Sequence, residues 1–202
     1  MPQQPSTRDR ILDAATVVLT ERGVAGATTR ELARAAGCSE ALLYKHFADK
    51  QELFLAVLSE RMPRIELPAA SDRTDLRSTL TTVVVSLLAF FTRTFPMAVS
   101  IFGAPELLAD HREGVRAHGF GPEGTVRLVE HLLAEEQRAG RIRADAELEP
   151  VARLVVGLAF HRAFLAAYEG RREVPDAAEF ARRGIEPLLP ALAPEGLGFG
   201  ND

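Results

Sequence analysis

Seven of the polar side chains between residues 29 and 50 are candidates for donating hydrogen bonds or positive charge to phosphate groups. They are Thr29, Arg30, Ser39, Tyr44, Lys45, His46 and Lys50. Hydroxyl, guanidinium and ammonium groups supply most of the contacts that proteins make to a nucleic-acid backbone. Their concentration in one short segment predicts a phosphate-binding surface.

Each of these side chains also has a local structural alternative. Four of them, Thr29, Arg30, Ser39 and Lys50, fall at predicted helix starts. Residues there act as caps or as solvated charges, although the free N–H groups of a helix start also attract phosphate. Tyr44 could instead pack against the following helix, and His46 could cap its own helix.

Three neighbouring positions, Glu40, Ala41 and Leu42, are best placed to meet base edges. A glutamate carboxylate accepts a hydrogen bond from the cytosine amino group, and alanine or leucine can touch a thymine methyl. These three positions form the surface that we call the reading face. Because their side chains offer few hydrogen bonds, the sequence predicts few base-specific contacts and does not indicate which bases are preferred.

Two short helices joined at a glycine must position these residues. In the first, Thr29 is the expected N-cap, and Leu32, Ala33 and Ala36 share one face before Gly37 ends the helix. This pattern is the first half of a helix-turn-helix.

The second helix of the motif carries most of the predicted contacts. Ser39 is the expected N-cap, and Leu43 and Phe47, four residues apart, are expected to point inward. Glu40, Ala41, Tyr44 and Lys45 then form an outer face of mixed polarity. A short helix of this kind suits a DNA major groove.

A helix before the motif and another after it complete the predicted N-terminal domain, residues 1–62. Ser6 is expected to cap the first helix, which ends at Gly23. Asp49 is expected to cap the fourth helix, and Pro63 marks its limit. Residues 67–71, with one proline and two alanines, predict a linker.

The second predicted domain covers residues 68–194. No segment alternates polar and apolar residues with a period of two, so an all-α fold is expected for the whole chain. A wide apolar stripe predicts a central helix that begins near Asp72 or Thr74 and is interrupted at Pro96.

Prolines and glycines divide the rest of this domain. A shorter helix is expected to run towards His111, and Gly114 opens a glycine-broken loop. Three further helices are predicted over 122–140, 150–169 and 176–192. Pro187 is expected to kink or divide the last of them.

The net charge of −4 is unevenly distributed along the chain. Residues 1–62 hold eight basic and eight acidic residues, and the other 16 basic and 20 acidic residues lie beyond them. The N-terminal domain is therefore neutral. We expect DNA binding to depend on dimerisation and on backbone N–H groups at helix starts rather than on a strong positive field.

Several features of the sequence favour a cytoplasmic location without a membrane anchor. The amino terminus lacks the charged and apolar regions of a signal peptide, and no apolar run approaches the roughly 18 residues that cross a bilayer. The single cysteine, Cys38, offers no intrachain disulfide. Its place in the predicted turn favours packing over redox sensing, because the chain has no resolving cysteine.

The motifs of residues 8–58 together resemble the TetR family of bacterial transcriptional repressors. The resemblance rests on the sequences at 11–15, 28–33 with Gly26, 37–47 and 49–53. Beyond this region, only the helical layout and the segment 140–152 are similar to the family.

The resemblance implies a ligand-responsive regulator, most often a repressor, that binds a palindromic DNA operator as a homodimer. Helix 150–169 and the last helix would pair with their mates as a four-helix bundle. A small effector would shift the fourth helix and release the operator. Two recognition helices fit successive major grooves only about 34–36 Å apart, or a multiple of that spacing, so a small shift suffices.

Each C-terminal domain would enclose an effector pocket, for which the phenylalanines are the candidates. The candidate residues are Phe90, Phe91, Phe95, Met97, Phe102, Phe160, His161 and Phe164. Such a set suits a small apolar or aromatic effector. Any single phenylalanine is more often a core residue than a pocket residue, and His161 is better explained as a core or interface histidine than as an effector contact.

Two other classes of function compete with the regulator. A helical small-molecule binding or interaction protein that has lost DNA binding is consistent with the neutral N-terminal domain and the apolar Leu42. An enzyme would need titratable groups that converge in one pocket, but Asp110–His111 and His131–Glu135 lack a third partner. We therefore expect no catalytic residues, metal or cofactor.

Overall fold

The computed structural model describes residues 5–117 and 121–194. All regular secondary structure in this part of the chain is helical, which confirms the predicted all-α class. The α-helices are α1 Thr7–Gly26, α2 Thr29–Ala35, α3 Glu40–His46, α4 Lys50–Glu60, α5 Leu76–Phe102, α6 Pro105–Ala117, α7 Pro122–Arg138, α8 Leu148–Tyr168, α9 Ala177–Ile185 and α10 Leu189–Leu192. Single 3₁₀ turns occupy Ala70–Asp72 and Glu186–Leu188.

The chain divides into two compact units. The first contains Met1–Pro63 and Arg93–Gly121, and the second contains Arg64–Thr92 and Pro122–Asp202. Residues 93–117, assigned from the sequence to the domain 68–194, therefore lie in the same unit as the helix-turn-helix. The assignment of DNA binding to 1–62 and of effector binding to 68–194 stays a prediction.

Apolar side chains from α1 to α4 form the core of the first unit. Leu12, Leu32, Leu43 and Leu53, one from each helix, are completely buried. Burial of such a side chain stabilises a fold by about 2 kcal/mol. Phe47 is also buried, as predicted, so the inward face of the helix-turn-helix packs within this core.

The N-terminal cap of α2 differs from the predicted one. The cap is Thr28 rather than Thr29, and its hydroxyl accepts a hydrogen bond from Glu31 N at 3.2 Å. The Glu31 carboxylate accepts one in return from Thr28 N at 3.1 Å. This reciprocal pair satisfies two backbone donors, an advantage that a cap at Thr29 would lack because the residue three positions later is Leu32.

The caps predicted for α3 and α4 are confirmed. The Ser39 hydroxyl accepts from Leu42 N at 3.2 Å, and the Asp49 carboxylate accepts from Glu52 N at 2.7 Å. Gly37, which ends the turn after α2, has a φ of 65°, a conformation that favours glycine.

Two boundaries predicted at glycine and proline are wrong. Pro96 lies inside α5, which continues to Phe102, and Gly114 lies inside α6 rather than in a loop. At Gly23 the backbone leaves the helical conformation as expected, with φ 71° and ψ 170°, but a further turn carries α1 to Gly26. The division at Pro187 is confirmed, because a 3₁₀ turn separates α9 from α10.

The second unit is built around α5, α7, α8 and α9. Its buried core includes one apolar residue from each of these helices, namely Val84, Leu133, Val155 and Ile185. Several small residues of α8, such as Ala159, are completely buried, and α8 packs against α7. The apolar stripes from which these helices were predicted are thus buried within the second unit.

A buried carboxylate of α7 bonds to two arginines from other segments of the second unit, Arg73 before α5 and Arg141 after α7. Glu136 of α7 is completely buried and accepts hydrogen bonds from Arg141 at 2.5 and 2.9 Å. Arg73, beside the 3₁₀ turn, donates to Glu136 at 3.3 Å and to Glu135 at 2.7 Å. The Arg141 guanidinium is the main cause of a lowered pKa at Glu136. The charge is therefore retained in the core.

Two helices are long and apolar enough to cross a membrane, contrary to the expectation that no apolar run approaches that length. They are α5, Leu76–Phe102, and α8, Leu148–Tyr168. Length and composition alone are weak evidence for a membrane span, because core helices pass the same test. Both helices bury apolar side chains against other helices, as Leu87 of α5 and Val155 of α8 show.

Candidate nucleic-acid interface

The outer face of α3 presents the predicted contact residues to solvent. Tyr44 is 48% exposed, and Ala41 and Lys45 are also exposed. Leu42 and His46 are half-buried at the sides of the helix. This face is narrow because Leu43 and Phe47 occupy the opposite side.

Four predicted contact residues from α2 and α3 are brought together by hydrogen bonds. The Thr29 hydroxyl donates to Glu40 Oε2 at 3.1 Å, and Arg30 Nε donates to Glu40 Oε1 at 3.4 Å. The Tyr44 hydroxyl donates to Thr29 Oγ1 at 3.5 Å. The Glu40 carboxylate therefore links the two helices. The positive charge of Arg30 offsets the negative charge of this carboxylate near the proposed phosphate contacts.

Lys50 makes two hydrogen bonds within the protein. Its ammonium donates to the carbonyl oxygens of Val24 at 3.0 Å and of Ala27 at 3.1 Å. An ammonium has three donors, so one donor is left for another partner. The structure thus gives Lys50 a role in holding residues 24–27, the last turn of α1 and its link to α2, and its contact with phosphate stays a prediction.

The remaining polar candidates lie at the two ends of α3. Ser39 is exposed and caps the helix start, where the backbone N–H groups point outward. At the other end, Phe47 N donates to Leu43 O at 3.0 Å, so a backbone group and not the His46 ring binds that carbonyl. The choice between the two predicted roles of His46 stays open.

The turn between the two helices is closed by backbone hydrogen bonds. Cys38 N donates to Ala33 O at 2.9 Å, and the Cys38 thiol is half-buried and unbonded to another cysteine. The packing role that the sequence favoured for the Cys38 side chain stays a prediction.

One contact of the first unit joins residues that are 76 positions apart and that no sequence pattern indicated. Val24 N donates to the Ser100 hydroxyl at 2.7 Å, and this hydroxyl donates to Met97 O at 2.7 Å. The end of α5 is thereby joined to the connection that leads into α2. The helix-breaking glycine at position 23 was the only local signal of an unusual backbone there.

A second contact in this unit joins α6 to α4. The His111 Nδ1 atom lies 3.1 Å from Gln51 Nε2, and the His111 ring lies 5.5 Å from the ring of Phe54. Burial lowers the pKa of His111, which favours the neutral ring. A neutral Nδ1 accepts from the Gln51 amide, so His111 has a structural role at this helix contact.

The predicted effector residues are divided between the two units. Phe90, Phe91, Phe160, His161 and Phe164 belong to the second unit. The Phe91 ring lies edge-on to Phe160 at 5.4 Å, and it lies 5.5 Å from Phe90. Phe160, His161 and Phe164 are exposed on α8.

The other three effector candidates belong to the first unit. Met97 is completely buried, Phe95 is half-buried, and Phe102 is 71% exposed. The division follows from the unit boundary, which falls between Thr92 and Arg93 within α5. The sequence could not predict this boundary, because the apolar stripe of α5 continues through it.

An open depression of about 590 Å³ lies elsewhere in the second unit, between the start of α5 and α9. Its lining residues are Asp75, Arg77, Ser78, Thr81, Thr82, Ala178, Glu179 and Arg182. None of the predicted effector residues is among them. Its two arginines are paired with acidic residues, Arg77 with Glu186 and Arg182 with Glu179.

Within residues 5–117 and 121–194, no three His, Cys, Asp or Glu side chains are grouped in a way that could hold a metal ion. His131 and Glu135 form a pair at 3.5 Å on the surface of α7. A pair alone does not supply the three protein ligands of a catalytic zinc site.

Comparison with known proteins identifies relatives of the N-terminal region. A sequence profile for bacterial regulatory proteins of the tetR family matches residues 11–57. The transcriptional regulator SrpR of Pseudomonas putida is 41% identical over 81 residues, which is 40% of this chain and 38% of SrpR. The repressor AcnR of Corynebacterium efficiens is 40% identical over 60 residues, 30% of this chain and 32% of AcnR. The chain therefore matches about a third of the length of each of these relatives.

Solved structures show the same fold over nearly the whole chain. A TetR-family regulator from Mesorhizobium loti superposes with a TM-score of 0.72 at 19% identity, covering 93% of this chain and 96% of that one. FadR of Bacillus subtilis in complex with stearoyl-CoA superposes with a TM-score of 0.64 at 15% identity, covering 89% and 96%. At these identities the likeness establishes the fold alone.

Proposed function

The chain belongs to the TetR family of bacterial regulatory proteins, and on this premise we propose that it is a ligand-responsive transcriptional repressor. As a homodimer it binds a palindromic operator, and a small-molecule effector releases it. This activity is not enzymatic, and it places the protein in the cytoplasm with the chromosome.

The observation that carries the proposal is the exposed face of α3. Tyr44 and Lys45 project from a helix whose opposite side is fixed by the buried Leu43 and Phe47. A recognition helix needs this combination of a rigid inner face and an exposed polar outer face to enter a major groove. The bond from Tyr44 to Thr29 also orients the phenol beside the start of α2.

The exposed apolar side of α8 supports the homodimer. Leu154, Phe164, Leu165 and Tyr168 are exposed there, and the rings of Phe164 and Tyr168 stack at 6.4 Å. A second copy of α8 with the last helix would cover this surface, as the resemblance implies. Sedimentation equilibrium at micromolar concentration checks the assembly, and a monomer there would contradict it.

The effector is proposed to be a small apolar or aromatic molecule. The aromatic contact of Phe91 with Phe160 provides apolar surface of the required kind. The FadR of Bacillus subtilis holds stearoyl-CoA on the same fold, so an acyl chain is one apolar candidate. Release of bound DNA by members of a panel of acyl-CoA and aromatic compounds tests this proposal, and no release by any of them would contradict it.

The DNA-binding proposal is tested by selecting duplexes from a random-sequence library and measuring the affinity of the protein for the most enriched duplex. We expect Lys45→Ala combined with Tyr44→Phe to weaken specific binding at least about tenfold, because a phosphate contact and a charge are lost. Arg138→Ala, which removes an exposed basic residue in the last turn of α7, is the control and should bind like the wild type.

The alternative, a helical small-molecule binding protein without DNA binding, predicts a different result. Selection would then enrich no sequence, while small-molecule binding would persist. The bonds of Glu40 to Thr29 and Arg30 are the observation that favours this alternative, since they place an anionic group on the reading face.

A further inference from the structure

Residues 24–27, which comprise the last turn of α1 and its link to α2 and are called the connection here, are held to the end of α5 by one hydroxyl group. Val24 N donates to Ser100 Oγ at 2.7 Å, and Ser100 Oγ donates to Met97 O at 2.7 Å. Because the hydroxyl is a donor and an acceptor at once, its orientation is fixed. All three residues belong to the first unit, and Val24 and Met97 are completely buried.

Gly23 permits this close approach. A Cβ atom at position 23 would lie 2.4 Å from Ser100 Cβ and 2.7 Å from Ser100 Oγ, and the φ of Gly23 is 71°. Any other residue would both strain the backbone and push the chain away from α5. The glycine and the serine therefore form a matched pair.

Lys50 holds the same connection from the side of α4. Its ammonium donates to Val24 O at 3.0 Å and to Ala27 O at 3.1 Å. Both backbone polar groups of Val24 are thus bonded, the N–H to α5 and the carbonyl to α4. The segment has little freedom to move independently of either helix.

We propose that Ser100 is a positioning residue for DNA binding, which holds the helix-turn-helix in the orientation that fits the operator. The inference rests on the proposed function. Ala27 directly precedes Thr28, the cap of α2, so the place of the connection fixes where α2 begins. From α2 the bond of Thr29 to Glu40 extends the restraint to α3.

Loss of the Ser100 hydroxyl leaves the buried N–H of Val24 without this acceptor. An unsatisfied buried N–H favours rearrangements of the connection that restore a partner, for example water. The population with the correctly placed helix-turn-helix then falls, and the affinity falls by the same factor. We expect specific binding to weaken about fivefold to tenfold.

The test compares Ser100→Ala with Ser86→Ala. Ser86 has the same chemistry in the second unit, where its hydroxyl accepts from Glu66 N at 2.6 Å and donates to Arg64 O at 3.3 Å. The probes are the duplex that the wild-type chain selects from a random library and a scrambled duplex of equal length. The quantity measured is the affinity for the selected duplex divided by the affinity for the scrambled duplex. Both affinities are measured well below the melting temperature of each variant.

Ser100→Ala is expected to lower this ratio about fivefold to tenfold, because phosphate contacts survive while the match to the operator is lost. Ser86→Ala should leave the ratio unchanged even if it lowers stability. A ratio for Ser100→Ala that is unchanged or higher overturns the positioning role. Failure of the wild type to select any sequence overturns the proposed function itself.

Hydrogen exchange provides a second measurement if Ser100→Ala does not fold. In the wild-type chain without DNA, the Val24 amide should already be protected, because the bond to Ser100 is present in the free protein. Exchange of this amide at the rate of an unstructured peptide would overturn the inference.

Discussion

Gly23 shows how one residue can determine the path of the chain into the helix-turn-helix. Its φ of 71° and its close approach to Ser100 both exclude a side chain. The sequence predicted a helix end at this position but not its cause, because the partner, Ser100, lies far along the chain. Distant contacts of this kind leave no periodicity that a single sequence can show.

Substitution of Gly23 by alanine is expected to destabilise the protein by about 2–5 kcal/mol. The positive φ costs about 1–2 kcal/mol for a residue with a Cβ, and overpacking against Ser100 adds about 1–3 kcal/mol. Urea unfolding followed by circular dichroism measures the change.

Gly26→Ala is the matched control for this substitution. A Cβ at position 26 would meet only Arg22 Cβ at 3.7 Å, an ordinary contact. Its effect should lie within about 0.5 kcal/mol of zero or be slightly stabilising. Equal effects of the two substitutions would refute the role assigned to Gly23.

At the scale of elements, the short helices were predictable because their signals are local. The caps Ser39 and Asp49 and the inward pair Leu43 and Phe47 depend only on residues within one or two turns. The interruption expected at Pro96 is wrong for a reason that is not local. Packing around its neighbour Met97, which is completely buried, outweighs the backbone bond that a proline removes from α5.

The loop expected at Gly114 is wrong for a different physical reason. Gly114 lies within α6 where that helix approaches α4, and a Cβ there would lie 3.1 Å from Leu55 Cδ1. A glycine can therefore serve close packing of two helices as well as the end of one. Only the arrangement of α6 against α4 distinguishes these roles.

The contact of α6 with α4 is expected to depend on pH through His111. Burial lowers the pKa of His111 below its ordinary value of 6.5, so the folded state favours the neutral ring and the unfolded state takes up the proton first. Stability contributed by the neutral ring is therefore present above about pH 6.5 and is lost as the pH falls below it.

Urea unfolding at about pH 7.5 and about pH 5.5 tests this dependence, with His111→Asn as the non-titrating variant. The wild type should lose more stability than the variant between the two conditions, because only the wild type can take up a proton at this position when it unfolds. An identical loss in both proteins would show that His111 does not contribute.

At the scale of the whole molecule, both units depend on interactions that join distant parts of the sequence. In the first unit, Arg61 at the end of α4 bonds to Asp9 and Asp13 of α1, each at 2.7 Å. In the second unit, the equivalent link is the buried Glu136 with Arg73 and Arg141. The helix pattern predicted the elements that these links join, but not the pairs.

Glu136→Gln is expected to destabilise the second unit by about 3 kcal/mol at neutral pH, because it leaves Arg73 and Arg141 without their buried counter-charge. The pKa of Glu136 is lowered from its ordinary value of 4.5, chiefly by Arg141. Its contribution is therefore present above about pH 4.5 and lost as the pH falls through the lower folded value.

Thermal unfolding of Glu136→Gln and the wild type at neutral and acid pH measures this contribution. The gap between the two melting temperatures should narrow in acid. Glu130→Gln, at a half-buried position of the same helix, is the control and should change stability little. A pH-independent gap for Glu136→Gln would contradict the assignment.

The equal numbers of basic and acidic residues in residues 1–62 have a consequence for how a repressor of the proposed kind would search for its operator. Affinity for DNA of any sequence comes mainly from the release of counterions, and several cations of this region are already engaged, Arg61 with two aspartates and Lys50 with two carbonyls. Little of the protein is then held on unrelated chromosomal sites. For the proposed repressor, the concentration free to reach the operator would then follow the number of copies in the cell closely, and control of its synthesis would set the degree of repression.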